Sequence, residues 1–351
     1  MVFLRIFLIY VFAIFFVSCA KVQYLLEQGQ GQVGLLNKAR PNEEVLKDVK
    51  VSPKVKDKIQ QIEIYKKYYY EYFAESPTKI YSKTTLLDRD AVTYLVIASP
   101  HDRIEAKEEC FPFMGCFPYL GFFELSSAQS YSKKLRNEGL ITWIRPVSAY
   151  STLGHFSDPI LSSFFVYSEY ELAEMIFHEL FHTVFWVKDE VELNENLAVY
   201  FSEALAAEYF HLDESSKKEK LAKKKNDDYL MKSLLLKIEE LNILYKKTPS
   251  CDPQRSQIIF HQFMKENFTP SMEKVCQELK FSKDLCWPLK REWNNAAFAA
   301  ILTYESRGAA IAELHQKQKG DLKDFYRFLQ KQYDIFKKRN EDSFAKYLTT
   351  L

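Results

Sequence analysis

Glycine is scarce in this chain, with nine residues in 351. Turns that press backbone N–H groups against a phosphate need glycine, and no phosphate-binding loop pattern occurs. Excess charge of one sign is also missing. With 48 Lys and Arg against 47 Asp and Glu, the net charge of +1 gives no basis for a nucleic-acid partner. Lysine runs such as Lys217 to Lys225, followed by Asp227 and Asp228, then read as solvated helix or connecting chain. Internal repeats are not evident. The apolar run from Ile6 to Val17 is too short to span a bilayer comfortably. Apolar side chains are abundant: 47% hydrophobic and 15% aromatic content supports a substantial core, in one elaborated domain or one domain with a helical addition.

Histidine is sparse as well, yet two of the seven stand one helical turn apart in His178-Glu179-Leu180-Phe181-His182. At i and i+4 both imidazoles leave the same helix face and can reach one tetrahedral metal, with Glu179 beside them toward the open coordination position. The local sequence supports the helix independently. Ser168 with Glu171 predicts a capping box, and no Pro or Gly interrupts the run from Tyr167 to Trp186. Two hydrogen-bonded core histidines are the plain alternative. Against it, Leu193-Asn194-Glu195-Asn196-Leu197-Ala198 opens a second predicted helix toward Tyr209, and a carboxylate there can complete a three-ligand Zn2+ site with His178 and His182. Glu195 is preferred as third ligand, with Glu203, Glu192, Glu190 and Asp189 as competitors. Glu203 lies two turns further on, where it either orients a ligand histidine or is an ordinary surface glutamate.

The Asn-Glu-x-x-Ala setting of Glu195 resembles the second-helix ligand of aminopeptidase N and the thermolysin-like gluzincins, although the thirteen residues from His182 to Glu195 are a shorter connection than theirs. The whole chain after Cys19 resembles the predicted aminopeptidase lipoprotein family of bacteria. The resemblance rests on His178 to His182, Leu193 to Ala198, Cys110-Phe-Pro-Phe-Met-Gly-Cys116, Gly121-Phe-Phe, Ala149-Tyr-Ser-Thr-Leu-Gly154 with Asp158-Pro159, and Asn294-Asn295-Ala296 with Tyr304. Leu193 and Leu197 replace phenylalanines of that pattern, and His155 stands at an aromatic position. The resemblance implies a metallopeptidase, and more specifically an aminopeptidase.

Residues 1–18 carry one charge, Arg5, before the apolar run and Ser18-Cys19-Ala20, the pattern of a lipoprotein signal with lipidation of Cys19. A plain membrane anchor or an ordinary cleaved signal is the competing reading, since Phe16 replaces the usual leucine. Ala20 after the cysteine points to the outer membrane, facing the periplasm. Cysteine usage fits an oxidising compartment. Cys110 and Cys116 flank Pro112 and Gly115 in a tight loop and predict a local disulfide; a metal site there lacks further ligands. Of the remaining three, Cys276 with Cys286 is the nearer pair, but Cys251 can replace either.

The expected fold is α+β, a zincin-like metallopeptidase domain over residues 19–212 with N-terminal helices, and a largely helical part over 213–351 that completes the groove. Helices are predicted over 22–36, 55–74 and 127–137, strands over 91–98 and 140–146, and helical segments over 229–268 and 289–348. Tyr150 and Ser151, in the segment up to Pro159, are candidates for binding extended peptide, with a polar connecting loop as the other reading. Asn294 and Asn295 are candidates for holding substrate backbone, and Tyr304 for donating to the developing oxyanion. Each can equally be a satisfied core residue, the preferred reading for Asn295 taken alone. The expected function is zinc-dependent peptide hydrolysis in the cell envelope with Glu179 as general base. A zinc-containing envelope lipoprotein that binds peptide or protein without cleaving it is one alternative; an endopeptidase of the same chemistry is another.

Overall fold

Ser168 begins the helix that carries the histidines. Its hydroxyl accepts from the Glu171 N–H at 3.3 Å while the Ser168 N–H donates to the Glu171 carboxylate at 3.0 Å, closing the predicted capping box. The helix then runs Glu169–Val184. Leu172, Ala173, Ile176, Phe177, Leu180 and Phe181 recur at three- and four-residue spacing, and all are fully buried. Burying each large member of that stripe stabilises by about 1.5–3 kcal/mol, which holds the helix in place.

The computed structural model describes residues 23–89, 91–111, 115–147, 157–188, 190–249, 252–282, 284–303, 308–339 and 343–351. It is mixed α+β, mostly helical with small sheets. Two compact units make it up, each assembled from three separate stretches of chain. One, the histidine unit, comprises Leu36–Asp90, Ser148–Lys220 and Glu305–Leu351; the other, the sheet unit, comprises Met1–Leu35, Ala91–Val147 and Leu221–Tyr304. One of the boundaries between them, after Lys220, falls inside the helix Glu214–Lys247.

In the histidine unit a small sheet pairs Lys83–Thr85 antiparallel with Arg40–Pro41 and parallel with Ile160–Leu161. Its helical core is aromatic. Tyr65 and Tyr69 of the helix Pro53–Phe73 pack on Phe177 at 6.1 Å between ring centroids. Phe181 stacks on Phe201 of the helix Val191–Tyr209 at 4.7 Å, and Phe201 stacks in turn on Phe325 of the helix Leu322–Phe336 at 5.6 Å. Because Phe177 and Phe181 immediately precede His178 and His182, anchoring the rings fixes the histidines beside them.

The sheet unit is organised around Thr93–Ser99, flanked antiparallel by Leu120–Phe122 and Ile141–Val147, with Val96 opposite Ile144. Both long strands lie within a residue or two of their predicted spans. Alternation sorts the side chains: Val96, Ala98 and Phe122 meet Ala128 and Leu135 of the helix Leu125–Asn137. Ile97 and Trp143 face Ala296 and Ala300 of the helix Asn295–Thr303. The helical stretch expected over 229–268 is interrupted. Its first helix ends at Lys247, and another starts at Pro253 with the Asp252 side chain capping the Gln254 N–H, a start signal of the usual kind. The predicted Cys110–Cys116 disulfide joins the paired strands Glu109–Phe111 and Gly115–Phe117. Cys276 bonds Cys286, the nearer of the possible pairings; Cys251 lies outside the described residues. Among the described residues no helix is long and apolar enough to cross a membrane. The predicted signal and Cys19 lie outside them.

Candidate metal centre

The turn between the two motif helices is held by one buried amide. Asn194 accepts from the Val187 N–H at 2.8 Å and donates to the Val187 carbonyl at 2.7 Å, so the short connection is clamped at both polar groups of one residue. The next residue, Glu195, is thereby delivered to the histidines. His178 Nε2 and His182 Nε2 are 3.2 Å apart, and the Glu195 carboxylate oxygens lie 3.3 Å from His178 Nε2 and 3.4 Å from His182 Nε2. A tetrahedral ion with bonds of about 2.0–2.2 Å sets its donors about 3.3–3.5 Å apart. The imidazole–imidazole distance, and the distance from each imidazole to its nearer carboxylate oxygen, are close to that spacing.

Protonation favours the same use at His182 and Glu195, while His178 is shifted the other way. Burial, helped by the neighbouring His178, pushes His182 down to about 4, so its imidazole is neutral at pH 7. For His178 burial also acts downward, but the hydrogen bond with Glu195 and the charges of Glu179 and Glu195 outweigh it and raise its pKa. Burial raises Glu195, and the hydrogen bond from His178 with the nearby His182 outweighs that, so the carboxyl is held below its usual range. His182 Nδ1 is buried without a partner, whereas ligand imidazoles usually donate from the second nitrogen. Glu179 is half-buried beside this trio, and its charge acts on His178.

The other candidates separate clearly. Glu190 is engaged elsewhere: its carboxylate accepts from the backbone N–H groups of Phe344 and Ala345, capping the short helix Phe344–Leu348. The charge of Glu203 bears on Tyr170, Glu174 and Tyr200. It does not figure among the groups that shift His178 or His182: Glu195 acts on both, Glu179 on His178, and His178 on His182. Asp189, Tyr150, Ser151 and Tyr304 lie outside the described residues. Asn294 and Asn295 belong to the sheet unit, and their amides are committed there. Asn294 accepts from the Ala297 N–H at 2.8 Å as a helix cap and donates to the Thr142 carbonyl at 3.2 Å. Asn295 is fully buried, accepts from the Tyr245 hydroxyl at 3.1 Å, and directs its NH2 at the carbonyls of Pro100, His101 and Arg103. Holding that turn leaves Asn295 no donor for a substrate, which corrects the substrate-binding expectation in favour of the core reading.

Two residues that motif reading passes over matter here. Asn194 sets the position of Glu195, and the phenol of Tyr81 is fully buried and feels the charge of Glu179. Asn194 is legible only as part of the Asn-Glu pair; Tyr81 has no sequence signal at all. No curated protein and no solved structure matches this chain. Residues 23–343 match the model of the family described as "Putative aminopeptidase", and the chain belongs to that family.

Proposed function

We propose that the chain is a zinc-dependent peptidase of zincin-like arrangement, in line with the aminopeptidase description of its family. The observation that carries this reading is the spacing of two imidazole nitrogens, 3.2 Å apart, and a carboxylate with one oxygen 3.3 Å from the first and the other 3.4 Å from the second, with a glutamate immediately after the first histidine. His178, His182 and Glu195 would hold the ion. Zinc held there would lower the pKa of its water toward neutrality and polarise the scissile carbonyl. Glu179 takes the water proton on its carboxylate and delivers it to the leaving amine. His182, kept neutral by burial, remains a donor well below neutral pH. Asn194 keeps Glu195 facing the histidines by fixing the start of its helix.

The setting proposed for this chemistry is the cell envelope, through a lipid on Cys19, with peptides as substrates and no nucleic acid. Two disulfides, Cys110–Cys116 and Cys276–Cys286, support an oxidising compartment. The test is Glu179→Gln. Zinc should stay near one per chain, because all three ligands are untouched, while turnover of a defined peptide mixture falls at least about a hundredfold. Full activity in that variant would sink the reading. The product profile decides the finer point: stepwise loss of amino-terminal residues supports an aminopeptidase, and internal cuts an endopeptidase.

A further inference from the structure

Arg291 is ringed by tryptophan. Its guanidinium carbon lies 5.2 Å from the ring centroids of Trp143 and Trp287 and 5.3 Å from that of Trp293, so three of the four tryptophans in the chain surround one cation. The place belongs to the sheet unit and is built rigidly. The Cys276–Cys286 disulfide ends directly before Trp287, the Trp293 indole N–H donates to the Pro288 carbonyl at 2.7 Å, and the Trp293 ring stacks on Phe298 with centroids 4.7 Å apart. Asn294 then ties the segment to the sheet through its bond to the Thr142 carbonyl, next to Trp143. A loop pinned at both ends loses little conformational freedom when its arginine takes a ligand.

What Arg291 lacks is an acceptor. A guanidinium carries five N–H donors in its plane, and among the described residues this half-buried one has neither a hydrogen bond nor an ion pair: its contacts are with rings. A second cation shares the place. Side chains alternate along Ile141–Val147, and Ile141 and Trp143 pack with Ala296 and Ala300, so Arg145 leaves the sheet on that same face, two residues beyond Trp143. Burial lowers the Arg291 pKa, and the charge of Arg145 adds to that. The acids of the loop do not offset it. Asp284 is paired with Lys290 at 2.7 Å, and Glu292 is exposed and does not figure among the groups that shift Arg291. Packing accounts for the rings but not for two cations on one face, because a staple between indoles has no use for a second positive charge that repels the first.

We propose that Arg291, caged by Trp143, Trp287 and Trp293 and backed by Arg145, is a binding site for a phosphate group, free or on a lipid headgroup. A rigid fork of donors matches two phosphate oxygens, and a monoester carries enough negative charge to answer both guanidiniums. The fork donates to two of the oxygens, Arg145 supplies the second positive charge, and the indoles wall the guanidinium off from water, which strengthens its hold on the anion. The site goes beyond the peptidase reading and does not depend on it.

The rings that cage Arg291 also report on it, so the test reads tryptophan emission of the full-length protein at fixed pH and ionic strength. Three probes are titrated: inorganic phosphate, glycerol phosphate, and vesicles of phosphatidic acid in phosphatidylcholine, set against phosphatidylcholine alone. The expected result is a saturable change, half-maximal at about 1 mM phosphate or below, that sodium chloride does not reproduce and acetate gives only more weakly. Arg291→Gln should raise the half-saturating concentration by at least about tenfold, and Arg145→Gln by a smaller factor. Arg291→Lys keeps a cation among the rings, and with it the fold, yet should also bind several times more weakly because the fork is gone. Saturation by the soluble phosphates identifies a free phosphate ligand, and a response confined to phosphatidic acid vesicles identifies a headgroup. No saturable change with any of the three, or binding undiminished in Arg291→Gln or Arg291→Lys, overturns the site. A change that chloride reproduces is screening and overturns it too, and acetate bound as tightly as phosphate overturns the assignment to phosphate.

Discussion

Two sets of buried polar side chains, one in each unit, make a contrast. In the sheet unit Asn295 is fully buried and every polar atom of its amide has a partner, from the Tyr245 hydroxyl to the carbonyls of the 100–103 turn. In the histidine unit His182 Nδ1 and the Tyr81 hydroxyl are buried with none, His178 Nε2 and His182 Nε2 stand 3.2 Å apart, and the two Glu195 carboxylate oxygens lie 3.3 and 3.4 Å from them. Buried polar groups that satisfy one another specify a fold; groups packed together with bonding capacity left over are held for something else. The difference separates structural asparagines from candidate ligands even though both stood out in the sequence as polar residues in apolar surroundings.

The sharpest way to break this contrast is to remove a donor from the crowded cluster. His178→Ala should abolish both zinc retention and peptide hydrolysis, as read by metal analysis and turnover. Glu195→Ala should match it; a mild effect at Glu195 would mean that the third ligand lies elsewhere. Asn295→Ala is the counterpart in the other unit. Losing its bonds inside the core should destabilise by about 2–4 kcal/mol and lower the melting temperature, with zinc content and KM unchanged. A raised KM at wild-type stability would return Asn295 to the substrate side of the comparison.

Smaller effects sharpen the picture. Replacing Cys276 and Cys286 together by alanine opens a bridge across a sequence separation of 10, which should lower stability by about 2–3 kcal/mol and leave zinc binding intact. In metal-free protein the pH dependence should carry the mark of His182. Its folded pKa, about 4, lies below the ordinary 6.5, so between these values the unfolded chain binds a proton that the folded one does not. Stability present above pH 6.5 is thus lost as pH falls toward 4, by on the order of 1–3 kcal/mol, partly offset by His178, whose shift is opposite. Thermal melts of His182→Leu across this range should show a flatter dependence than wild type.

Much of the local structure was legible from residue order because its causes are local. Ser168 and Glu171 signalled the start of the histidine helix through a bond that spans three residues, and the β-branched runs of 93–99 and 141–147 marked the central strands. The tight loop between Cys110 and Cys116 likewise announced its bridge. Pairing among Cys251, Cys276 and Cys286 stayed open, since spacing ranks distances along the chain and not through space. The committed amides of Asn294 and Asn295 were hidden for the same reason: their partners lie far away in sequence, at Thr142 and at 100–103.

The sequence by itself determined the donor types, the helix that presents them and the glutamate between them, because side chains four apart on a helix share a face whatever surrounds it. Tertiary structure decided the rest. The Asn194 clamp brings Glu195 to within 3.4 Å of both imidazoles, and aromatic stacking from Phe181 through Phe201 to Phe325 locks the two helices together. It also set Tyr81 in a left-handed conformation, where its backbone is held by long-range hydrogen bonds to Asp158 and Asn42. Local order is written in nearest neighbours, whereas burial, charge coupling and unsatisfied valence exist only once distant segments pack.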